Sequence, residues 1–226
     1  MSVYWIPRHH IENACALEAN AITGRVLDFG CGSMPYARIF KNATEYVGVE
    51  YDKGLKDGET YFRNGIIYFD GRTLPFSDGC FDAIVSFQVL EHVIDLGLIM
   101  QELNRVIRPG GTFFFTVPLL WPEHETPSDY RRFTRWGTEK MLLKEGFDPV
   151  KIYPLGTIYD VVLVFFLDYF NTFENQLLQS FVRRFSPVVN LVSRILNAVD
   201  PRARRVDRYC YLDLCALARK PPLGDA

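Results

Sequence analysis

The chain has 226 residues, a formal net charge of −2 and a pI near 6.1. That length suits one domain, or one domain with a sizeable insertion, and supports a full core without a metal or disulfide staple. The near-neutral charge argues against general electrostatic capture of nucleic acid, and an aromatic content of 15% argues against disorder.

Residues 1–23 read as an N-terminal cap. They carry His9, His10 and Glu12 where a secretory leader would carry a cationic stretch and a long apolar run. Arg25–Phe29 reads as a buried strand and Pro35–Asn42 as the helix after it. Tyr46–Glu50, Gly65–Phe69, Phe81–Phe87 and Gly111–Val117 read as four more strands. Helical spacing over Ile94–Ile107 and Trp136–Glu145, the latter closed by Gly146, supplies two helices. Apolar strands alternating with helices predict a mostly parallel sheet covered on both faces.

The tail breaks this rhythm. Residues 156–208 read as a helical insertion with a break at Pro187. Its apolar residues include Leu177, Leu178, Phe181, Val182 and Phe185, then Val188, Leu191, Val192, Ile195 and Leu196. Residues 209–219 read as the final strand, and 1–226 as a single domain with its core at 24–155. The longest apolar stretch, Val161–Leu167, is far too short to span a bilayer. Five cysteines at irregular spacing (Cys15, Cys31, Cys80, Cys210 and Cys215), no CxxC and only four histidines predict free thiols, no metal site and a reducing, cytoplasmic location.

The most informative residues are Val26-Leu27-Asp28-Phe29-Gly30-Cys31-Gly32-Ser33. Gly30 and Gly32 lack Cβ, so a ligand can lie against the backbone. Glu50 ends the second strand, where a carboxylate suits two ribose hydroxyls. A dinucleotide fold wants a third glycine at position 35, which is proline here. Asp28 would repel a pyrophosphate but suits a ligand with an ammonium and a sulfonium. S-adenosylmethionine is such a ligand.

Four motifs in order resemble class I S-adenosylmethionine-dependent methyltransferases, of the group that includes ubiquinone-biosynthesis type enzymes. They are VLDFGCG, VGVEYD, the stretch Phe69–Val93 and RVIRPGGTFFFTVP at Arg105–Pro118. The resemblance covers about Gly24–Phe147. It implies a Rossmann-like α/β fold: a seven-stranded, mostly parallel sheet with helices on both faces and an antiparallel last strand. It implies that Asp28, Gly30, Cys31 and Gly32 face the methionine part, Glu50 holds the ribose and Tyr51 stacks near the adenine. Asp70 and Gly71 would sit at the adenine amino group, and the Phe87 backbone by the ammonium. Ser33-Met34 departs from the usual small residue of the turn.

Ligands of open α/β folds bind beyond the carboxyl ends of the strands. Glu91-His92 follows the fourth strand. Trp121-Pro122-Glu123-His124-Glu125 and Asp129-Tyr130-Arg131-Arg132-Phe133 follow the fifth. His124 is the first choice for a general base, with His92 and Tyr130 as further catalytic candidates. A surface-loop histidine explains His124 equally well. Tyr130, Arg131 and Arg132 could orient an anionic acceptor. The expected activity is methyl transfer to a small-molecule or lipid-linked acceptor, with oxygen slightly favoured.

A catalytically idle cofactor-binding partner subunit is the rival reading; Pro35 and Asp28 speak against a nicotinamide oxidoreductase. The base-gripping loop of nucleic-acid methyltransferases is absent at Ser86-Phe87-Gln88-Val89. The insertion admits three readings: core over one sheet face, an acceptor lid, or a surface for a homodimer or peripheral membrane contact. The third draws on Arg183, Arg184, Arg194, Arg202, Arg204, Arg205 and Arg208, while Asp160, Asp168 and Glu174 make its first part acidic.

Overall fold

The computed structural model describes residues 5–172, 176–201, 210–222 and 224. Glu174, Arg202, Arg204, Arg205, Arg208 and Tyr209 lie outside the described residues, as do the side chains of Leu178 and Arg183. In chain order the elements are α1 (Trp5–Glu18), β1 (Gly24–Phe29), β2 (Ala43–Tyr51), β3 (Thr60–Arg63), β4 (Ile66–Phe69), β5 (Phe81–Phe87), α2 (Leu96–Val106), β6 (Ile107–Pro118), α3 (Arg135–Lys144), β7 (Asp148–Leu155), α4 (Ile158–Asn171), α5 (Gln176–Val199) and β8 (Asp213–Arg219).

The strands form one sheet in the order β3-β4-β2-β1-β5-β6-β8-β7. The run β4-β2-β1-β5-β6 is parallel, while β3, β8 and β7 each pair antiparallel with their neighbours. The last strand is antiparallel, as expected, but the sheet has eight strands where seven were expected. Two strands escaped the sequence reading. β3 is an edge strand with mostly exposed side chains, and β7 carries Pro149, Lys151 and Pro154.

Strand periodicity builds two cores. Leu27, Phe29, Phe113 and Phe115 point to the face covered by α2 and α3, through Ile99, Met100, Leu103 and Leu142. Val26, Val85 and Phe114 point to the face covered by α1, through Ile11, Ala14 and Cys15. Phe113, Phe114 and Phe115 are fully buried, each contributing on the order of 2–3 kcal/mol of transfer free energy.

Two helix expectations are corrected. Residues 35–42 form only a short 3-10 turn at Ala37–Ile39. β2 already starts at Ala43, beside Gly24, so too few residues remain for a stable helix. Tyr36 and Phe40 fill the gap by packing on Phe87 and Phe114. Pro187 does not break the insertion either; it lies inside α5. Its ring is exposed, and Val182 and Val189 on either side of it pack against the same α4 residues, Leu167 and Phe170. The final strand begins at Asp213, later than the expected residue 209.

Candidate active site

Strand order reverses at β1, which lies between β2 and β5, and such switch points open a crevice at the strand carboxyl ends. The turn after β1 bends sharply there, with Gly30 at φ +71° and Gly32 at φ +48°. The Gly30 and Cys31 amides donate to the Val49 carbonyl at 2.9 and 3.2 Å, tying the turn to β2. The two glycines serve different ends. A Cβ on Gly30 would lie 2.4 Å from the Val89 side chain, whereas one on Gly32 would meet nothing within 4 Å. Gly30 permits close packing, and Gly32 faces open space.

Glu50 reaches across this space. Its Oε2 accepts from the Gly32 amide at 2.8 Å and its Oε1 from the Tyr51 amide at 3.1 Å. Tyr51 is 55% exposed, and its ring lies 2.8 Å from where a Gly71 Cβ would stand. Asp70 accepts from the Gly58, Arg72 and Thr73 amides at 2.6, 2.9 and 3.0 Å. Partial burial pushes its carboxyl up, but these donors outweigh it and the net shift is downward. Asp70 thus shapes the loop that carries Gly71. Phe87 ends β5, with its ring edge-on to Tyr36 at 4.9 Å.

Asp28 and Cys31 are buried. Asp28 Oδ2 accepts from the Tyr46 hydroxyl at 2.7 Å. Burial pushes its carboxyl up to about 7, against the Tyr46 bond and helped by the charge of Glu50. The Cys31 thiol is pushed up to about 12 by burial and by Asp28 and Glu50, so it is unreactive at neutral pH. Its Sγ packs where β2 passes at Gly48.

Next to the glycine turn, Val89 leads into the short turn Leu90–His92. Glu91 is fully buried, and neither carboxylate oxygen has a hydrogen-bond partner. Burial pushes its pKa up to about 8. His92 Nδ1 donates to the Ser128 carbonyl at 2.7 Å, which turns Nε2 toward Glu91 Oε1 at 3.8 Å. The His124 ring stands edge-on to His92 with centroids 4.7 Å apart. Its Nδ1 donates to the Pro122 carbonyl at 3.3 Å and lies 3.1 Å from Asp129 Oδ2.

Asp129 is held in turn by the Arg132 fork, at 2.5 and 2.7 Å, and by the His124 amide at 3.0 Å. The guanidinium keeps its carboxyl well below the usual range. An acid orienting a histidine is the arrangement a general base needs. Asp129 as the orienting group and Glu91 as a buried acid were not singled out by sequence reasoning. Both stand in the polar loops that it marked.

The arginines are committed to structure. Arg132 also donates to the Trp121 and Pro122 carbonyls, and Arg131 to the Leu90, Val93 and Ile94 carbonyls. They staple residues 121–134 to the Glu91 turn, and this occupies the donors expected to orient an anionic acceptor. Tyr130 is exposed, and its amide donates to the Glu91 carbonyl at 3.0 Å.

Glu91, His92 and His124 also offer donor atoms within 4.8 Å of one another, a set that could hold a divalent ion.

A second polar cluster lies toward the insertion. Fully buried Asp160 is 3.1 Å from His10 Nε2 and accepts from Thr157, Ser193 and Asn197. Buried Asp213, at the start of β8, has one oxygen without a partner, and burial pushes it up to about 7.

Asp28, Glu91 and Asp213 together set a pH trend. Each keeps in the native state a proton that the unfolded chain releases near pH 4. Their combined effect is that stability falls as pH rises from about 4 through about 8. The melting temperature should drop by about 5 °C or more between pH 5.5 and 8.5, with Asp28→Asn reducing the drop. A melting temperature that rises over that range would refute the assignment.

Residues 27–115 match the family model described as a methyltransferase domain. Over that stretch the chain is similar to methyltransferase domains.

A protein of Mycolicibacterium smegmatis named "Probable S-adenosylmethionine-dependent methyltransferase" is 33% identical over 131 residues, covering 55% of this chain and 50% of that protein. A fatty-acid O-methyltransferase of the same species is 31% identical over 117 residues, covering 47% and 41%. The chain thus spans about half the length, or less, of these curated relatives. Among solved structures, the [4+2]-cyclase SpnF superposes with a TM-score of 0.61 at 18% identity, covering 98% of this chain and 86% of that one. At that identity the likeness concerns the fold alone.

The crevice fits S-adenosylmethionine. Gly32 leaves room along the backbone, Glu50 supplies a carboxylate across it, and exposed Tyr51 offers an aromatic face beside Gly71. Among the described residues, no helix is long and apolar enough to cross a membrane.

Proposed function

We propose that the chain transfers a methyl group from S-adenosylmethionine to a small-molecule or lipid-linked acceptor, with an oxygen as the target. The observation that carries this reading is the open Gly32 turn faced by Glu50, with the His124–Asp129 pair in the neighbouring loop. When bound, the cofactor supplies a methyl group activated for in-line displacement.

The chain's own residues supply the rest. Glu50 would hold the ribose hydroxyls in place of the Gly32 amide. Tyr51 would offer its exposed ring to the base. Asp28, near neutral while buried, ionises readily beside a cationic ligand, because an opposite charge lowers a carboxyl pKa. His124 accepts the acceptor's proton at Nε2, while the Pro122 carbonyl takes the Nδ1 proton and the Asp129 charge beside it stabilises the imidazolium. A base of this kind serves a hydroxyl acceptor best, and the likeness to a fatty-acid O-methyltransferase supports the same target. The His124 and His92 side chains are 29% and 17% exposed, so the loop leaves them within reach of an acceptor. That accessibility favours an enzyme over an idle subunit.

Titration calorimetry with S-adenosylhomocysteine tests the cofactor half. Micromolar binding with one site per chain is expected. No heat at millimolar ligand would overturn the reading.

A further inference from the structure

The insertion has its polarity inside out. Along α5 the residues turned inward include Ser186, Asn190, Ser193 and Asn197, and the Asn190 side chain is buried with neither polar atom bonded. Turned outward beside Arg184 and Arg194 are the apolar Phe181, Phe185, Leu191 and Ile195, all about half exposed. α4 continues the surface with Phe166 and Tyr169. Among the described residues, thirteen of the 21 exposed large apolar side chains lie on these two helices. Water-facing helices place polar residues outward, so this hairpin is built for a different neighbour.

Charge identifies that neighbour. α5 carries three arginines and no Asp or Glu, and the stretch 200–208 after it adds four arginines against Asp200 and Asp207, while α4 brings Asp160 and Asp168. A second copy would offer the exposed Arg184 and Arg194 no carboxylate from its own α5. A bilayer rich in anionic headgroups meets both the apolar stripe and the arginines. Because neither helix can cross a membrane, the contact lies in the interfacial plane. α4 starts just beyond the carboxyl end of β7, the same end of the sheet as the glycine turn and the His124 loop.

We infer that the α4–α5 hairpin docks the protein on anionic lipid surfaces, with the apolar faces of both helices laid into the headgroup boundary. Co-sedimentation of the full chain with phosphatidylcholine vesicles, with and without 30% phosphatidylglycerol, tests this without cofactor or acceptor. Failure would leave the methyltransferase reading untouched.

Strong sedimentation with the anionic vesicles is expected, falling at least tenfold on neutral vesicles or in 0.5 M salt. The triple variant Phe181→Asp, Leu191→Asp, Ile195→Asp should lose at least tenfold in bound fraction. Its S-adenosylhomocysteine binding should be retained, which reports an intact fold. Wild-type protein remaining in the supernatant with both vesicles would overturn the inference. So would a stable dimer in light scattering that the triple variant dissociates, because the face would then be covered by a second copy.

Discussion

Replacing Gly32 with leucine is expected to abolish S-adenosylhomocysteine binding, with at least a hundredfold loss of affinity, while the protein stays folded. Gly32 sits at φ +48°, where a side chain costs about 1–2 kcal/mol. No neighbouring atom lies within 4 Å of its Cβ position, so the new side chain projects into the crevice rather than into the core. Gly30 makes the control. There a Cβ would run into Val89 at 2.4 Å, so Gly30→Leu should lose both binding and several degrees of melting temperature. Calorimetry and thermal melts on the pair read the two effects separately. Undiminished binding by the Gly32 variant would place the ligand elsewhere.

The second large effect is expected at Asp129. Its side chain is 2% exposed and carries both arms of the Arg132 guanidinium. Asp129→Ala leaves that guanidinium with carbonyl partners alone and no counter-charge, at a cost of about 3 kcal/mol. It also removes the charge beside His124 Nδ1, so methyl transfer should fall with it. His124→Ala isolates the chemistry. That side chain is partly exposed and anchors no other element, so stability should hold while the rate drops about a hundredfold. Denaturant melts beside single-turnover methyl transfer separate the two. Full activity in His124→Ala would dismiss the histidine as base.

The central strands were legible because each is a short apolar run bounded by polar residues or glycine. Phe81–Phe87 matches residue for residue, since both its faces are buried. The cofactor crevice was legible because glycines and a spaced acid are local features. Elements whose shape depends on distant partners were hidden. β7 looks polar and proline-broken, and becomes a strand only because β8 returns beside it. Residues 35–42 had the composition of a helix, but the early start of β2 left no length for one. The pairing of His124 with Asp129 depends on a loop fold that no periodicity reports. Asp213 gave no signal at all, since its isolation follows from the strand order.

The short turn after β1 sets the electrostatics of the crevice mouth. A full helix there would aim about half a unit of positive macrodipole charge at the ligand. A single 3-10 turn, Ala37–Ile39, supplies no such field. The carboxylate that faces the open Gly32 turn is Glu50, and buried Asp28 stands behind it as a proton-holding acid that a cationic ligand would ionise. A phosphate at that turn would meet Glu50 without the help of a helix dipole, whereas a cation would be drawn to it.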